Sequence, residues 1–125
     1  MTEQGHTLLW EHGGRRIWGV RRSTGVCEAK EFYDGLPLRA RLDFKKIMSR
    51  LTEFGRIANK EMFRRLEVTG HPTVWEMKSH EGPGYRIFCI QDGLDWWATH
   101  GRKKPKDKQV SNEVSRAREI FAERG

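Results

Sequence analysis

Apolar positions recur at helical spacing in two long stretches of the chain and alternate with polar ones in several shorter stretches. In residues 37–54, Ala40, Phe44, Ile47, Met48, Leu51 and Phe54 follow the i, i+3, i+4, i+7 spacing of one buried stripe. Arg39, Arg41, Lys45, Lys46 and Arg50 fall largely on the remaining face. Pro37 suits the first turn of such a helix, and Gly55 sits where a C-terminal cap belongs. Residues 27–34 read as a shorter helix with Ala29, Phe32 and Tyr33 as apolar positions, broken from the longer one by Gly35-Leu36-Pro37. Near the end of the chain, Val110, Val114, Ala117, Ile120 and Phe121 predict a helix from Val110 to about Arg124, with Ser111 in the N-cap region.

The strand signals fall on either side of the helical pair. Thr7–Trp10 and Arg16–Val20 flank Gly13-Gly14, a pair that reaches positive φ without steric cost and predicts a hairpin. Thr73 to Lys78 alternates with period two, placing Thr73, Trp75 and Met77 on one face and Val74, Glu76 and Lys78 on the other. Gly84 to Ile90 is rich in strand formers, Gln91-Asp92-Gly93 is a turn signal, and Leu94 to His100 is the returning strand. Adjacent Trp96 and Trp97 must then point to opposite faces. Residues 62–67 fit neither pattern decisively. The resulting order is a strand, two helices, an antiparallel three-strand meander and a final helix, which is an α+β plan.

Composition limits what such a domain can be. With 125 residues the chain fits one domain, and five Trp and six Phe are enough anchors for a small core. No apolar run approaches the ~20 residues of a membrane span, and no segment reads as a signal peptide. A soluble, cytoplasmic chain with no membrane partner is therefore expected. Cys27 and Cys89 lie far apart without a CxxC pattern, and the five histidines show no metal spacing, so neither a disulfide framework nor a metal or other cofactor is expected. The formal net charge of +7 points to an anionic partner. Its excess is concentrated in residues 15–22 (+4), 35–70 (+5) and 100–125 (+4), most densely in Arg102-Lys103-Lys104-Pro105-Lys106-Asp107-Lys108. Taken alone, that run is equally a solvated basic loop. It gains meaning only if the fold brings other cations to it.

Several motifs follow one another in the second half: Trp75-Glu76-x-Lys78, Gly84-Tyr85-Arg86-Ile87-Phe88-x-Ile90, Asp92-Gly93, then His100-Gly101-x-Lys103-Lys104 before an Ala-containing helix. With the helical pair broken at Asp34-Gly35-Leu36-Pro37, this order resembles the RelE/ParE superfamily of toxins from type II toxin–antitoxin systems, most closely its phage-derived HigB-like branch. The resemblance covers residues 15–124, in a single toxin domain of 15–125 preceded by an extension, 1–14, that is read as a possible edge strand. It implies a RelE-like α+β fold, with an N-terminal helical pair packed on a twisted antiparallel sheet and a C-terminal helix. It also implies an endoribonuclease that cuts mRNA, typically on the translating ribosome with its rRNA, and that a cognate antitoxin neutralises. Carried over by position, Lys78 and Arg86 fall on basic, substrate-facing positions. His100, Lys103 and Lys104 fall in the segment after the last strand, and Arg64 and Arg65 precede the meander. The chain departs from the pattern in two places. It has no Tyr near either end of the last helix, where Val110 and Phe121 stand, and Glu76 occupies a position that is basic in some relatives.

The residue types suit RNA cleavage by attack of the 2′-OH on the adjacent phosphate. That reaction needs a proton acceptor, a proton donor and cations to hold the added charge, and it needs no metal. Arg86, planar and always charged, suits a phosphate clamp. Lysines serve as acid or base only when neighbouring cations or burial lower their pKa, whereas an imidazole, at His100 or secondarily His80, titrates near neutrality unaided. The candidate catalytic set is Arg86, Lys103, His100 and Lys78, and the candidate RNA-binding set is Arg102, Lys104, Lys106, Arg64 and Arg65. Plainer readings stand beside these. Arg86 pairs equally well with Glu76 or Glu81, His100 suits a structural hydrogen bond, and Trp75, Trp96 and Trp97 suit the core. A gyrase-targeting ParE-like toxin, a catalytically silent relative, a basic nucleic-acid-binding module and a basic surface docking an acidic protein are the competing functions.

Overall fold

The computed structural model describes residues 5–125. Its strands are β1 (Thr7–His12), β2 (Arg15–Gly19), β3 (Phe63–Arg65), β4 (Trp75–Ser79), β5 (Tyr85–Asp92) and β6 (Asp95–Lys103), and its helices are α1 (Glu28–Asp34), α2 (Leu38–Phe54) and α3 (Val110–Ala122). The six strands form one sheet in the order β1-β2-β6-β5-β4-β3, so the fold is α+β with a C-terminal helix. Gly13 and Gly14, at φ 58° and 84°, turn β1 into β2. β1 is an edge strand; positions 1–4 of the N-terminal extension lie outside the described residues.

The sheet is mixed where a purely antiparallel one was expected. β2 pairs in parallel with β6, with Ile17 opposite Trp96 and Gly19 opposite Ala98. Parallel neighbours need a long crossover. Here it comprises the helical pair and the strands β3, β4 and β5, which return the chain to the flank of β2. The stretch 62–67 resolves as the short edge strand β3, whose Phe63, Arg64 and Arg65 pair with Met77, Glu76 and Trp75.

The two sheet faces are covered by different helices. Ala29 of α1 and Ala40, Phe44, Ile47, Met48 and Leu51 of α2 pack with Ile17, Met77, Ile87, Cys89, Trp96 and Ala98. Val114 and Ala117 of α3 pack on Val74, Phe88 and Ile90, while Ile120 joins Trp18, Val20 and Trp97. Trp96 and Trp97 thus serve opposite faces, and both are buried. Gly55 caps α2 at φ 78°, its N–H bonded to the Leu51 carbonyl. Phe54, assigned to the buried stripe, is 64% exposed instead, and Leu51 and Thr52 complete the buried face of the last turn.

Two expectations for the C-terminal part need correction. The last strand runs on to Lys103, so Arg102 and Lys103 belong to the sheet ladder and not to a segment after it. Continued pairing with β5 holds them there, Arg86 opposite Arg102 and Tyr85 opposite Lys103. Ser111 does not cap α3. A 3-10 turn at Asp107–Gln109 feeds directly into the helix, and the Gln109 side-chain oxygen accepts from the Lys106 N–H.

The glycine of His100-Gly101 has a packing role. A Cβ there would lie 2.2 Å from the Phe32 ring, so the missing side chain lets α1 settle on β6.

Candidate functional site

Helix α3 starts at Val110 and covers only part of its sheet face. Where the cover ends, period-two alternation leaves polar side chains on the strands that carry Val74 and Phe88 inward. Two registered rows result. Arg64, Glu76, Phe88 and His100 lie side by side across β3, β4, β5 and β6. In the next row Lys78, Arg86 and Arg102 are direct neighbours. Like charges facing one another across strands cost stability, so three cations in register call for counter-ions.

The protein supplies two, Glu76 from within β4 and Glu113 from α3. Glu76, 1% exposed, stands between Arg64 and Arg86: its Oε1 is 2.8 Å from Arg64 Nη2 and its Oε2 is 3.6 Å from Arg86 Nε. Arg86 is 3% exposed and donates to the backbone carbonyls of Ser79 (3.3 Å) and Tyr85 (3.0 Å). Burial, then the repulsion of Arg64, lowers its pKa against the pull of Glu76, yet a guanidinium stays charged. Lys78 Nζ donates to the Lys60 carbonyl at 3.1 Å. Partial burial first, then the neighbouring Arg86 and Arg64, lowers the Lys78 pKa below the ordinary lysine value.

Arg64, Glu76, Lys78 and Arg86 face a cavity of 260 Å³, closed on the far side by Lys104, Pro105, Asp107 and Val110 and on the near side by Glu61 and His80. The His80 Nε2–H donates to the Glu61 carbonyl at 2.7 Å. A second hollow of 360 Å³ against α2 shares Glu61, Lys78 and His80 with the first. Lys78 and His80 therefore stand on a ridge open to both sides. The arrangement is a cationic cleft able to hold one anionic group, with an imidazole and a lysine of lowered pKa on its rim.

The other candidates fall elsewhere. His100 is 1% exposed beneath α3, stacked on Phe88 with ring centroids 4.7 Å apart. Its Nε2–H donates to Glu113 Oε1 at 2.8 Å, and burial lowers its pKa. Arg102 lies in the cationic row, but its Nη1 donates to Glu113 Oε2 at 2.8 Å. For Glu113, burial alone would raise the carboxyl pKa; the hydrogen bonds from Arg102 and His100 outweigh it and hold the pKa below the usual value. This triad fastens α3 to β6. Lys103 alternates to the opposite face, Lys106 is exposed on the following loop, and Arg65 faces away beside Glu67 at 3.4 Å. The structure thus gathers Arg64, Lys78, Arg86 and Lys104, places Arg102 alongside, and separates His100, Lys103, Lys106 and Arg65 from them.

The sequence reading did not anticipate Glu113 or Asp107. Period-two parity did place Val74, Glu76 and Lys78 on one face, and His80, two residues past Lys78 and just beyond β4, would have followed from extending that alternation. No protein-family model matches the chain, and no curated protein is significantly similar to it. No helix among the described residues is long and apolar enough to cross a membrane.

Proposed function

We propose that this protein binds RNA through the cleft of Arg64, Lys78, Arg86 and Lys104 and cleaves it without a metal, as the toxin of a RelE/ParE-like toxin–antitoxin pair. The observation that supports this reading most is the registered row Lys78, Arg86, Arg102 at the uncovered end of the sheet. Glu76 and Glu113 face two of these cations, yet Lys78 and Arg86 still line the cleft together with Lys104, where an anionic group can meet them. The order of a helical pair, a three-strand meander and a final helix supports the family likeness. A cognate antitoxin, mRNA and the ribosome are the partners this reading implies.

In the proposed reaction a scissile phosphate lies against Arg64, Arg86 and Lys104. Lys78, whose pKa partial burial and the neighbouring Arg86 and Arg64 lower, takes the 2′-OH proton. The 2′ oxygen bonds to phosphorus, the bond to the 5′ oxygen breaks, and the leaving oxygen takes a proton from the protonated His80. The products are a 2′,3′-cyclic phosphate and a 5′-hydroxyl. The arginines hold the charge that builds on the phosphate, a contribution typically worth on the order of 100-fold in rate for each well-placed donor.

Induced expression of the wild type beside Lys78→Ala and Lys103→Ala variants tests this. Growth arrest with new mRNA 5′ ends, lost in Lys78→Ala and kept in Lys103→Ala, is the expected result. Arrest with intact mRNA, or equal cleavage by all three proteins, overturns it. One observation favours a second reading. Glu76 already neutralises both arginines from within the sheet, which suits a module that holds nucleic acid without cutting it. Salt-sensitive RNA binding by a non-toxic protein would support that alternative.

A further inference from the structure

Beside the cationic cleft lies a cavity of 350 Å³ that phosphate binding does not use. It opens between the segment after α2 and the edge strand β3, and its walls are Ile57, Ala58, Phe63 and Trp75. Phe63 is buried, while Trp75 is only half-buried and packs flat on it, with centroids 5.0 Å apart and planes 9° from parallel. The aromatic floor is therefore fixed from beneath. Cations ring the mouth: Lys60, Arg64 and Arg65, the last beside Glu67.

Two connections join this cavity to the cleft. Arg64 lines both. Lys60, at the mouth of the apolar cavity, accepts through its backbone carbonyl the hydrogen bond from Lys78 Nζ in the cleft. β3 is the last strand of the sheet, and Arg64 and Arg65 point to its two faces, so a chain of alternating phosphates and bases can cross that edge with a cation on either side.

We propose that this cavity is a nucleobase subsite for single-stranded RNA, with Trp75 as the stacking platform and Arg64 and Arg65 holding the flanking phosphates. The inference rests on RNA being the substrate of the adjoining cleft. Its chemistry is that of a flat apolar surface beside fixed cations, which accepts any base by its π-face and the backbone by charge. The volume lies within the range of small-ligand sites, roughly 300–1,000 Å³. A planar base joined to phosphates uses both the aromatic floor and the cationic rim, whereas an aliphatic side chain of a protein partner would use the floor alone.

The test is equilibrium binding of two probes to the full chain: a mixed-sequence RNA hexamer, made uncleavable by 2′-deoxy substitution, and a hexamer of abasic sugar-phosphate. Trp75→Leu keeps apolar bulk and removes the ring. Ala58→Leu fills the cavity from an exposed position, so it guards against a folding defect in the first variant. The expected result is that each variant weakens hexamer binding by roughly tenfold, within the range set by loss of one stacked base, with abasic binding unchanged. Trp75→Phe restores most of the loss. If both variants bind the hexamer as the wild type does, the subsite is refuted while RNA binding by the cleft stands. If the wild type binds neither probe, the functional reading fails and the subsite with it.

Discussion

Replacing Glu76 by Gln separates what the buried carboxylate does for the fold from what it does to the site. The two side chains have nearly the same shape, so the change removes one negative charge and little else. Arg64 is 47% exposed in its side chain, and its share of the pair is worth only about 0.2–1 kcal/mol. Arg86 is only 3% exposed, so the loss of its counter-ion is little screened by solvent. Removing one partner of a buried pair costs about 3–5 kcal/mol. The lower end applies here, because the 3.6 Å separation is loose and Arg86 keeps its bonds to the Ser79 and Tyr85 carbonyls. At roughly 3–6 °C per kcal/mol for a domain of this size, the melting temperature should fall by roughly 10–15 °C. RNA affinity should move the other way, since Arg64 and Arg86 lose their internal competitor. Each further phosphate that they neutralise should also steepen the dependence of log affinity on log salt by about 0.7. Thermal unfolding and hexamer binding at two salt concentrations read both effects. An unchanged melting temperature would refute the role of Glu76 as counter-ion to Arg86. A lower melting temperature with no rise in affinity would refute the assignment of the two arginines to phosphate.

The remaining predictions concern charge, packing and pH. Lys104→Ala should weaken RNA binding and reduce the salt slope by about 0.7, while Lys103→Ala on the opposite face leaves the wild-type affinity in place. Gly101→Ala sets a methyl 2.2 Å from the Phe32 ring and should cost about 1–3 kcal/mol in urea unfolding. In a Phe32→Ala background the same change should cost much less, and a full, additive penalty would locate the strain elsewhere. His100 is held neutral by burial, so its folded pKa lies below its unfolded value of about 6.5. As pH falls below about 6.5 the unfolded chain binds the proton first, and stability drops until the folded pKa is passed. Glu113 adds a second loss at lower pH, starting near the ordinary carboxylate value of 4.5 and ending at its depressed folded pKa. His100→Asn should flatten the urea midpoint between pH 7 and 5. A slope as steep as that of the wild type would place the titrating group elsewhere.

Local pattern was enough to read the helices and every strand but β3. The stripe of Ala40, Phe44, Ile47, Met48 and Leu51 specifies the buried face of α2, and Gly13-Gly14 and Gly93 specify hairpin turns, because helix faces and turns depend on residues close in sequence. Strand parity likewise put Glu76 and Lys78 on one face. What parity cannot supply is which strand lies alongside. The pairing of β2 with β6 joins residues 79 positions apart, as Ile17 and Trp96 are, and short-range spacing carries no information about a contact that distant. The candidate site depends on such pairings. Arg86 meets Arg102 and Lys78 only through register, and β3 brings Arg64 onto Glu76. The same tertiary contacts removed His100 from consideration as an exposed base, since α3 closes over it and supplies Glu113. They also turned Lys103 to the far face by extending β6. The helices, most of the strands and the surplus of positive charge follow from neighbouring residues alone. Which of those charges stand together does not, because a charged side chain's neighbours are set by strand order and register, and only the folded sheet defines them.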